Sequence, residues 1–374
     1  MRGPTPKRDG VRALDSSSPS VALVHASRRY DGHAAHFRMY WEALQSQRYP
    51  VSAYTCVDPS FASEFPDWGT QILGRRLIRA DRIEEGFNRF FPVYARKLRA
   101  LKEDLIHVND VYLAVTANFR DNVIVSIADL ATAYTNFHPR IPTWIHQKNL
   151  RSAVRARAVI CHTRFVQNEI LRYTQIPLER IHQVPLYSLL PSTTTPPVSE
   201  APTLERPWNL AYVATDRPWK NIDFYLEVIR RLDERFHGIL VTHASPRTQR
   251  KIQGLGLGSR ISILSDVPDM LAVYRRSHVL LFPSSYEGFG IPLIEAMSQG
   301  LPVIASDRAA VPEVVGSGGA LLPLDDPGAW SEAVRQMEDG PTYREAARAS
   351  LARGREFTAG QTADRLIRVY RSAV

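Results

Sequence analysis

The sequence predicts an α/β protein of two domains, each built on a parallel sheet. Three observations predict it. The apolar run Val279–Phe282, the glycine-rich turn and helix that follow, and the run Pro302–Ala305 read as one strand–loop–helix–strand unit. The segment Pro191–Pro207 holds five prolines and six Ser/Thr residues, the composition of a linker. On both sides of it, short apolar runs alternate with helical patterns.

The bulk properties agree. A chain of 374 residues, 44% of them hydrophobic, has room for two domains with real cores. No apolar run is long enough to span a bilayer. Cys56 and Cys161 have no ligand-like spacing, which points to a reducing, cytoplasmic setting without structural disulfides or zinc. The net charge of +9 is carried mostly by arginine, a surface suited to nucleotide phosphates, anionic lipid or nucleic acid. No nucleic-acid motif accompanies it, so no nucleic-acid partner is expected.

In chain order, residues 1–20 are polar, lack the apolar core of a secretory signal and read as a disordered tail. A first domain over 21–190 opens with a strand at Val21–Val24, a helix at Ala34–Gln45 and a strand near Val51–Tyr54. His33 and His36 are at helical spacing but have no HExxH frame or carboxylate, so no metal site is expected. Gly74–Glu103 alternates arginines with Phe90, Phe91 and Tyr94. A helix there either lies on an anionic membrane, a peripheral contact at its inner face, or packs its aromatics on its own domain. Strands at Leu105–Val108 and Val123–Ile127 end in Asn109-Asp110 and Asp129, at the carboxyl ends where ligands bind. Ala158–Cys161 and Ile181–Val184 are further strands, with a helix at Thr163–Tyr173 between them.

After the linker 191–207, a second domain over 208–357 begins with a strand at Asn209–Val213. The loop Ala214–Asn221 follows, then a helix burying Phe224, Leu226, Val228, Ile229 and Leu232. The alternate glycines of Gly254–Gly258 lie between a helix and the strand Ile261–Leu264, so they read as a helix stop rather than a dinucleotide fingerprint. Asp266–Asp269 opens a helix to Arg276. Ser317 lacks the frame of a nucleophile elbow. Ala320–Leu322 is a strand, Asp326-Pro327 starts a helix through Met337, and a closing helix within 358–374 covers about Gly360–Ser372.

The chemistry concentrates in SSYEGFGIPLIEAMSQGLPVIAS, Ser284–Ser306. Gly288 and Gly290 let the backbone approach a ligand. Pro292 fits the first helical position and Gly300 the helix stop. The N–H groups of Gly290, Ile291 and Leu293 lie near a helix N-terminus, which attracts phosphate. Glu295, inside the helix, suits a vicinal diol such as ribose, while Glu287, before the glycines, points to another part of the same ligand. The pattern suggests a nucleoside diphosphate whose sugar hangs beside Glu287.

This stretch, with Val311–Gly316 (VPEVVG) behind it, resembles the large retaining group 1 glycosyltransferase family with the GT-B fold. The likeness is dense over 208–374 and looser over 21–187. It implies two Rossmann-like domains facing across a cleft, the closing helix crossing back to the first. It implies retaining transfer of a mannose- or glucose-type hexose from a GDP- or UDP-sugar to a hydroxyl of a glycan, lipid-linked or small-molecule acceptor. No cofactor and no metal are implied, and the chain has no Asp-x-Asp. Carried onto this sequence, the catalytic positions are Glu287, Lys220 and Asp129. The donor-binding positions are Gly32, Arg217, Val267, Gly288, Phe289, Gly290, Ile291, Leu293 and Glu295. The chain departs from the pattern at Ala214-Thr215, where the family has Gly-Arg, with Arg217 two residues late. It departs again at Ala128, the histidine place before Asp129, and at Gly32, where the family often has two glycines. These departures keep a non-catalytic nucleotide-sugar-binding module in play, beside an epimerase or a glycan phosphorylase of the same fold.

Overall fold

A computed structural model of the chain describes residues 18–25, 32–55, 71–72, 95–131, 143–195 and 201–374. Residues 1–17 and 26–31, Cys56 and most of the basic-aromatic stretch of Gly74–Glu103 lie outside those residues.

The first sheet is parallel throughout. It comprises β1 (Val21–His25), β2 (Val51–Thr55), β3 (Gln71–Ile72), β4 (Leu105–Val108), β5 (Val123–Ser126), β6 (Ala158–Cys161) and β7 (Ile181–Gln183), in the order β3-β2-β1-β4-β5-β6-β7. β1, β4, β5 and β6 are buried along their whole length. That explains their unbroken apolar runs, since a parallel sheet is covered on both faces. The covering helices are α1 (Gly32–Ser46), α2 (Thr143–Ala153) and α3 (Arg164–Tyr173). Thr163, expected inside α3, is its N-cap and accepts from the Val166 amide.

The second sheet repeats the plan with β8 (Trp208–Val213), β9 (Phe236–Val241), β10 (Ile261–Leu264), β11 (Val279–Phe282), β12 (Val303–Ser306) and β13 (Ala320–Leu322), ordered β10-β9-β8-β11-β12-β13. Its helices are α4 (Ile222–Arg231), α5 (Pro246–Gly254), α6 (Met270–Arg276), α7 (Ile291–Ser298), α8 (Val311–Val315), α9 (Pro327–Gln336), α10 (Gly340–Gly354) and α11 (Ala359–Ser372). β9 has no counterpart in the sequence analysis, and Gly238 interrupts its apolar run. The glycine is a packing requirement: a Cβ there would sit 2.4 Å from Ile261 Cδ1 and 2.6 Å from the Tyr225 hydroxyl. One local expectation shifts: Pro292 occupies the second position of α7, behind Ile291. The stop expected at Gly254–Gly258 is present, with α5 ending at Gly254 and Gly256 in a positive-φ turn. Gly300 does stop α7: at φ +67° its amide meets the Met297 carbonyl while Leu301 reaches Ala296.

In each sheet the strand order reverses once, between β1 and β4 and between β8 and β11, the Rossmann-like pattern that opens a crevice at the carboxyl ends. The two halves share one apolar core, which joins Phe37, Tyr40 and Leu44 of α1 to Leu293 and Met297 of α7 and to Leu366 and Tyr370 of α11. The start of the proline-rich segment is tied to the second half. Gln299 donates to the Pro191 carbonyl (2.7 Å), the Thr193 amide to Ser298 (3.0 Å) and Arg355 to Thr194 (2.8 Å). Among the described residues no helix is long and apolar enough to cross a membrane.

Helix α11 returns to the first sheet. Thr362 donates to the Pro185 carbonyl (2.8 Å), and the Tyr370 hydroxyl lies 2.7 Å from His107 Nδ1 on β4. The other ring nitrogen of His107 is 2.8 Å from the Ser126 hydroxyl on β5. Burial, reinforced by His162, pushes the His107 imidazole down to about 3, so it is neutral and bonded at both nitrogens. Tyr370→Phe should leave one of those nitrogens without its partner. The expected cost is about 1–3 kcal/mol of stability, read as a lower urea midpoint.

Candidate functional site

The second sheet's switch point is built from two loops, 214–221 after β8 and 283–290 after β11. They are stitched together at several points. The Ser285 amide (2.7 Å) and hydroxyl (3.1 Å) both donate to the Trp219 carbonyl, and the Asn221 side chain donates to Pro283 (3.0 Å). Asn221 adopts the left-handed conformation (φ 53°) that turns the chain into α4. The buried Tyr212 donates its hydroxyl to the Lys220 carbonyl, fixing that peptide.

These ties bring Lys220 and Glu287 together, 67 residues apart in sequence, with Nζ and Oε1 at 2.6 Å. Glu287 is 8% exposed. A carboxylate so covered needs a partner cation, and Lys220 is that partner.

The start of α7 lies next to the pair. Gly290 has φ +93°, a conformation that strains any side-chain-bearing residue, and no side chain caps the helix. The Leu293 amide, expected to face a ligand, is instead spent on the Gly290 carbonyl (3.0 Å), and the Leu293 side chain is fully buried. The helix terminus is therefore represented by Gly290 and Ile291. Phe289 is likewise turned inward. Its ring packs edge-on against His162 and Phe357, so only its backbone belongs to the loop's surface.

Gly288 has a role the sequence did not suggest. A Cβ there would lie 2.0 Å from the Ala128 carbonyl oxygen and 2.9 Å from Asp129 Cβ. The missing side chain is thus used for contact between the two halves, which puts Asp129 beside the Glu287 loop. Asp129 Oδ1 accepts from the Ala131 amide (3.0 Å), a local turn that holds the carboxylate. Thr163 donates to the Gly288 carbonyl (2.9 Å) from the same side.

Glu295 lies one turn into α7 and accepts from the buried Tyr274 hydroxyl (2.8 Å). Burial pushes its carboxyl up to about 7, and the Tyr274 bond only partly offsets that. Arg217 stands at the head of the 214–221 loop, its guanidinium 5.9 Å from the Trp219 ring centre. The neighbouring Asp216 accepts from the Ser245 amide and the Thr248 hydroxyl, both at 2.8 Å. Burial pushes the Asp216 carboxyl up, but these bonds outweigh it and the net shift is downward. Val267 follows β10 at the carboxyl edge of the sheet, after Asp266 in a left-handed turn (φ 50°). Gly32 is the first residue of α1, and its loop lies outside the described residues.

Lys220, Glu287, Gly288, Gly290 and Asp129 thus meet at one junction. Sequence reasoning missed Tyr274 and Asp216. Their partners, Glu295 for the one and Ser245 and Thr248 for the other, lie far away in sequence, which leaves no local pattern to read.

Residues 208–339 match the family profile described as Glycosyl transferases group 1. The chain is 27% identical to the O-antigen chain mannosyltransferase B of Escherichia coli over 292 residues, 73% of this chain and 76% of that protein. It is 31% identical to the O-antigen chain mannosyltransferase RfbU of Salmonella typhimurium over 134 residues, 34% of this chain and 38% of that protein. Among solved structures, Anabaena HepE in complex with UDP and glucose superposes with a TM-score of 0.75 at 17% identity, covering 95% of this chain and all of that one. WaaG, a glycosyltransferase involved in lipopolysaccharide biosynthesis, superposes at 0.69 and 14% identity over 93% of this chain and 98% of that one. These likenesses establish the two-sheet GT-B fold.

Gly288→Ala tests the junction. The added methyl cannot fit beside the Ala128 carbonyl, so the halves should separate or the loop should distort, at a cost of about 1–3 kcal/mol. Small-angle scattering and thermal unfolding should both change; an unaltered scattering curve and melting temperature would contradict the contact.

Proposed function

We propose, from the premise that this chain is a glycosyltransferase carrying a group 1 domain on a GT-B fold, that it transfers a hexose with retention and without a metal ion. The donor is a nucleoside diphosphate sugar, GDP-mannose or a UDP-hexose, and the acceptor is a hydroxyl of a glycan or lipid-linked glycan. The observation that carries the reading is the buried Lys220–Glu287 pair at the switch point. The mannosyltransferase relatives and the UDP-bound structural neighbour support the substrate class.

In this reading the diphosphate lies against the start of α7 and against Lys220. As the glycosidic bond breaks, negative charge grows on the departing diphosphate. Lys220, Arg217 and the Gly290 and Ile291 amides are placed to stabilise it, the task a divalent ion performs elsewhere. A phosphate drawing Lys220 towards itself frees the Glu287 carboxylate for the sugar's hydroxyls, or for positive charge at its anomeric carbon. Asp129 faces the same sugar from the other half. The acceptor hydroxyl enters on the face the diphosphate leaves, which gives retention. Glu295 holds the ribose diol.

Lys220→Ala and Glu287→Ala should each lower sugar transfer by on the order of 10²–10³-fold while leaving the circular dichroism spectrum native. Normal transfer by both would overturn the assignment. Addition of a chelator should leave the rate of the wild type unchanged.

The Glu295 carboxyl gives a pH dependence of definite sign. A diol needs the ionised carboxylate as acceptor, and the group's position near 7 means that acid protonates it early. Sugar-nucleotide affinity should therefore fall as pH drops below about 7, approaching tenfold per unit. Calorimetric titration with the intact sugar nucleotide reads this directly. Glu295→Gln should bind weakly at every pH with the slope abolished, and a persisting slope would show that another group titrates.

A further inference from the structure

Helix α3 of the first half is held by the second half at three places. Thr163, its N-cap, donates to the Gly288 carbonyl at 2.9 Å. The Glu313 carboxylate accepts from the Arg164 amide (2.8 Å) and the Phe165 amide (3.1 Å) at the helix's positive end. One turn further along, Glu169 accepts a short hydrogen bond from the Tyr286 hydroxyl.

Tyr286 does more than hold the helix. Its single hydroxyl proton is given to Glu169, which leaves the oxygen's lone pairs as acceptors. The Leu130 amide, at 3.2 Å, donates to that oxygen. The ring is fixed edge-on against Phe165, centroids 5.8 Å apart. Desolvation pushes the phenol well above its usual range, so it stays a neutral donor. The Leu130 amide belongs to the peptide that follows Asp129, and Tyr286 precedes Glu287. One hydroxyl thus anchors the chain beside both carboxylates, from opposite halves of the molecule.

We propose that Tyr286 is a positioning residue: through Glu169 and the Leu130 amide it sets Asp129 against the Glu287 loop, so the two carboxylates face each other only when the halves are closed. This rests on the reading of Glu287 and Asp129 given above. A side chain that only filled space would need the ring and not the hydroxyl.

The test compares Tyr286→Phe, Glu169→Gln and Glu169→Ala with the wild type. Hydrogen–deuterium exchange of the peptide covering Leu130 needs no activity; Tyr286→Phe should speed it by about tenfold or more. In the transfer assay kcat should drop by about tenfold to a hundredfold. Nucleoside diphosphate affinity, measured calorimetrically, should stay within about twofold, because the Tyr286 hydroxyl bonds to Glu169 and Leu130 of the first half and not to Lys220 or the start of α7. Glu169→Gln keeps an acceptor oxygen and should retain kcat within about threefold, whereas Glu169→Ala should behave like Tyr286→Phe. Unchanged exchange and kcat in Tyr286→Phe would overturn the proposal. So would a parallel fall in kcat, nucleotide affinity and melting temperature, which marks a merely structural role. A wild type without transferase activity would fault the functional reading instead, and the exchange comparison would still decide whether the hydroxyl orders Leu130.

Discussion

A lysine and a glutamate, both largely withdrawn from water, meet where the second sheet's strand order reverses. Burying such a pair is not an efficient route to stability, since desolvation of both ions offsets much of their attraction. Its surroundings show what it constrains. Tyr212 fixes the Lys220 peptide, Ser285 and Asn221 tie the two loops, and Gly288 brings the first half against the Glu287 loop. Each contact keeps the two charged groups at a fixed place relative to the crevice. The fold supplies the crevice and the loops supply the charges. The second carboxylate, Glu295, pairs with no cation among the described residues, and burial leaves it with a raised affinity for protons.

Local patterns carried most of the architecture. Strands β4 and β11 fall where their apolar runs predict, because a strand covered on both faces needs only an unbroken run of the right length. The edge strands β10 and β13, only partly covered, also fall at their predicted places. The helix starts at Asp269 and Asp326, and the stop at Gly300, follow from side chains next to the backbone they serve. β9 escaped because its glycine is explained by Tyr225 and Ile261, which lie far from it in sequence.

The site divided along the same line. Glu287 and Glu295 sit in a motif around a glycine-rich turn and helix start that marks them, and the resemblance to a known family named Lys220 and the rest. What spacing could not convey was direction. Phe289 and Leu293 belong to the motif, yet the core claims their side chains. Gly288 looked like clearance for a ligand and is clearance for Ala128. Thr215 in place of an arginine stayed ambiguous in sequence. The structure shows its neighbour Asp216 bonded to the start of α5, which leaves Arg217 to carry the loop's other charge.

Helix α11 has a mechanical consequence. The chain crosses between the halves twice, once through the segment after Leu190 and once on the way back to α11, whose Thr362 and Tyr370 bond to the first half. A body pinned to another at one point can tumble about it in any direction. Pinned at two, it can only swing about the line joining them, as a door does on a pair of hinges. The last helix therefore gives the halves a second tie, so that any turning of one against the other is confined to the line joining the two crossings.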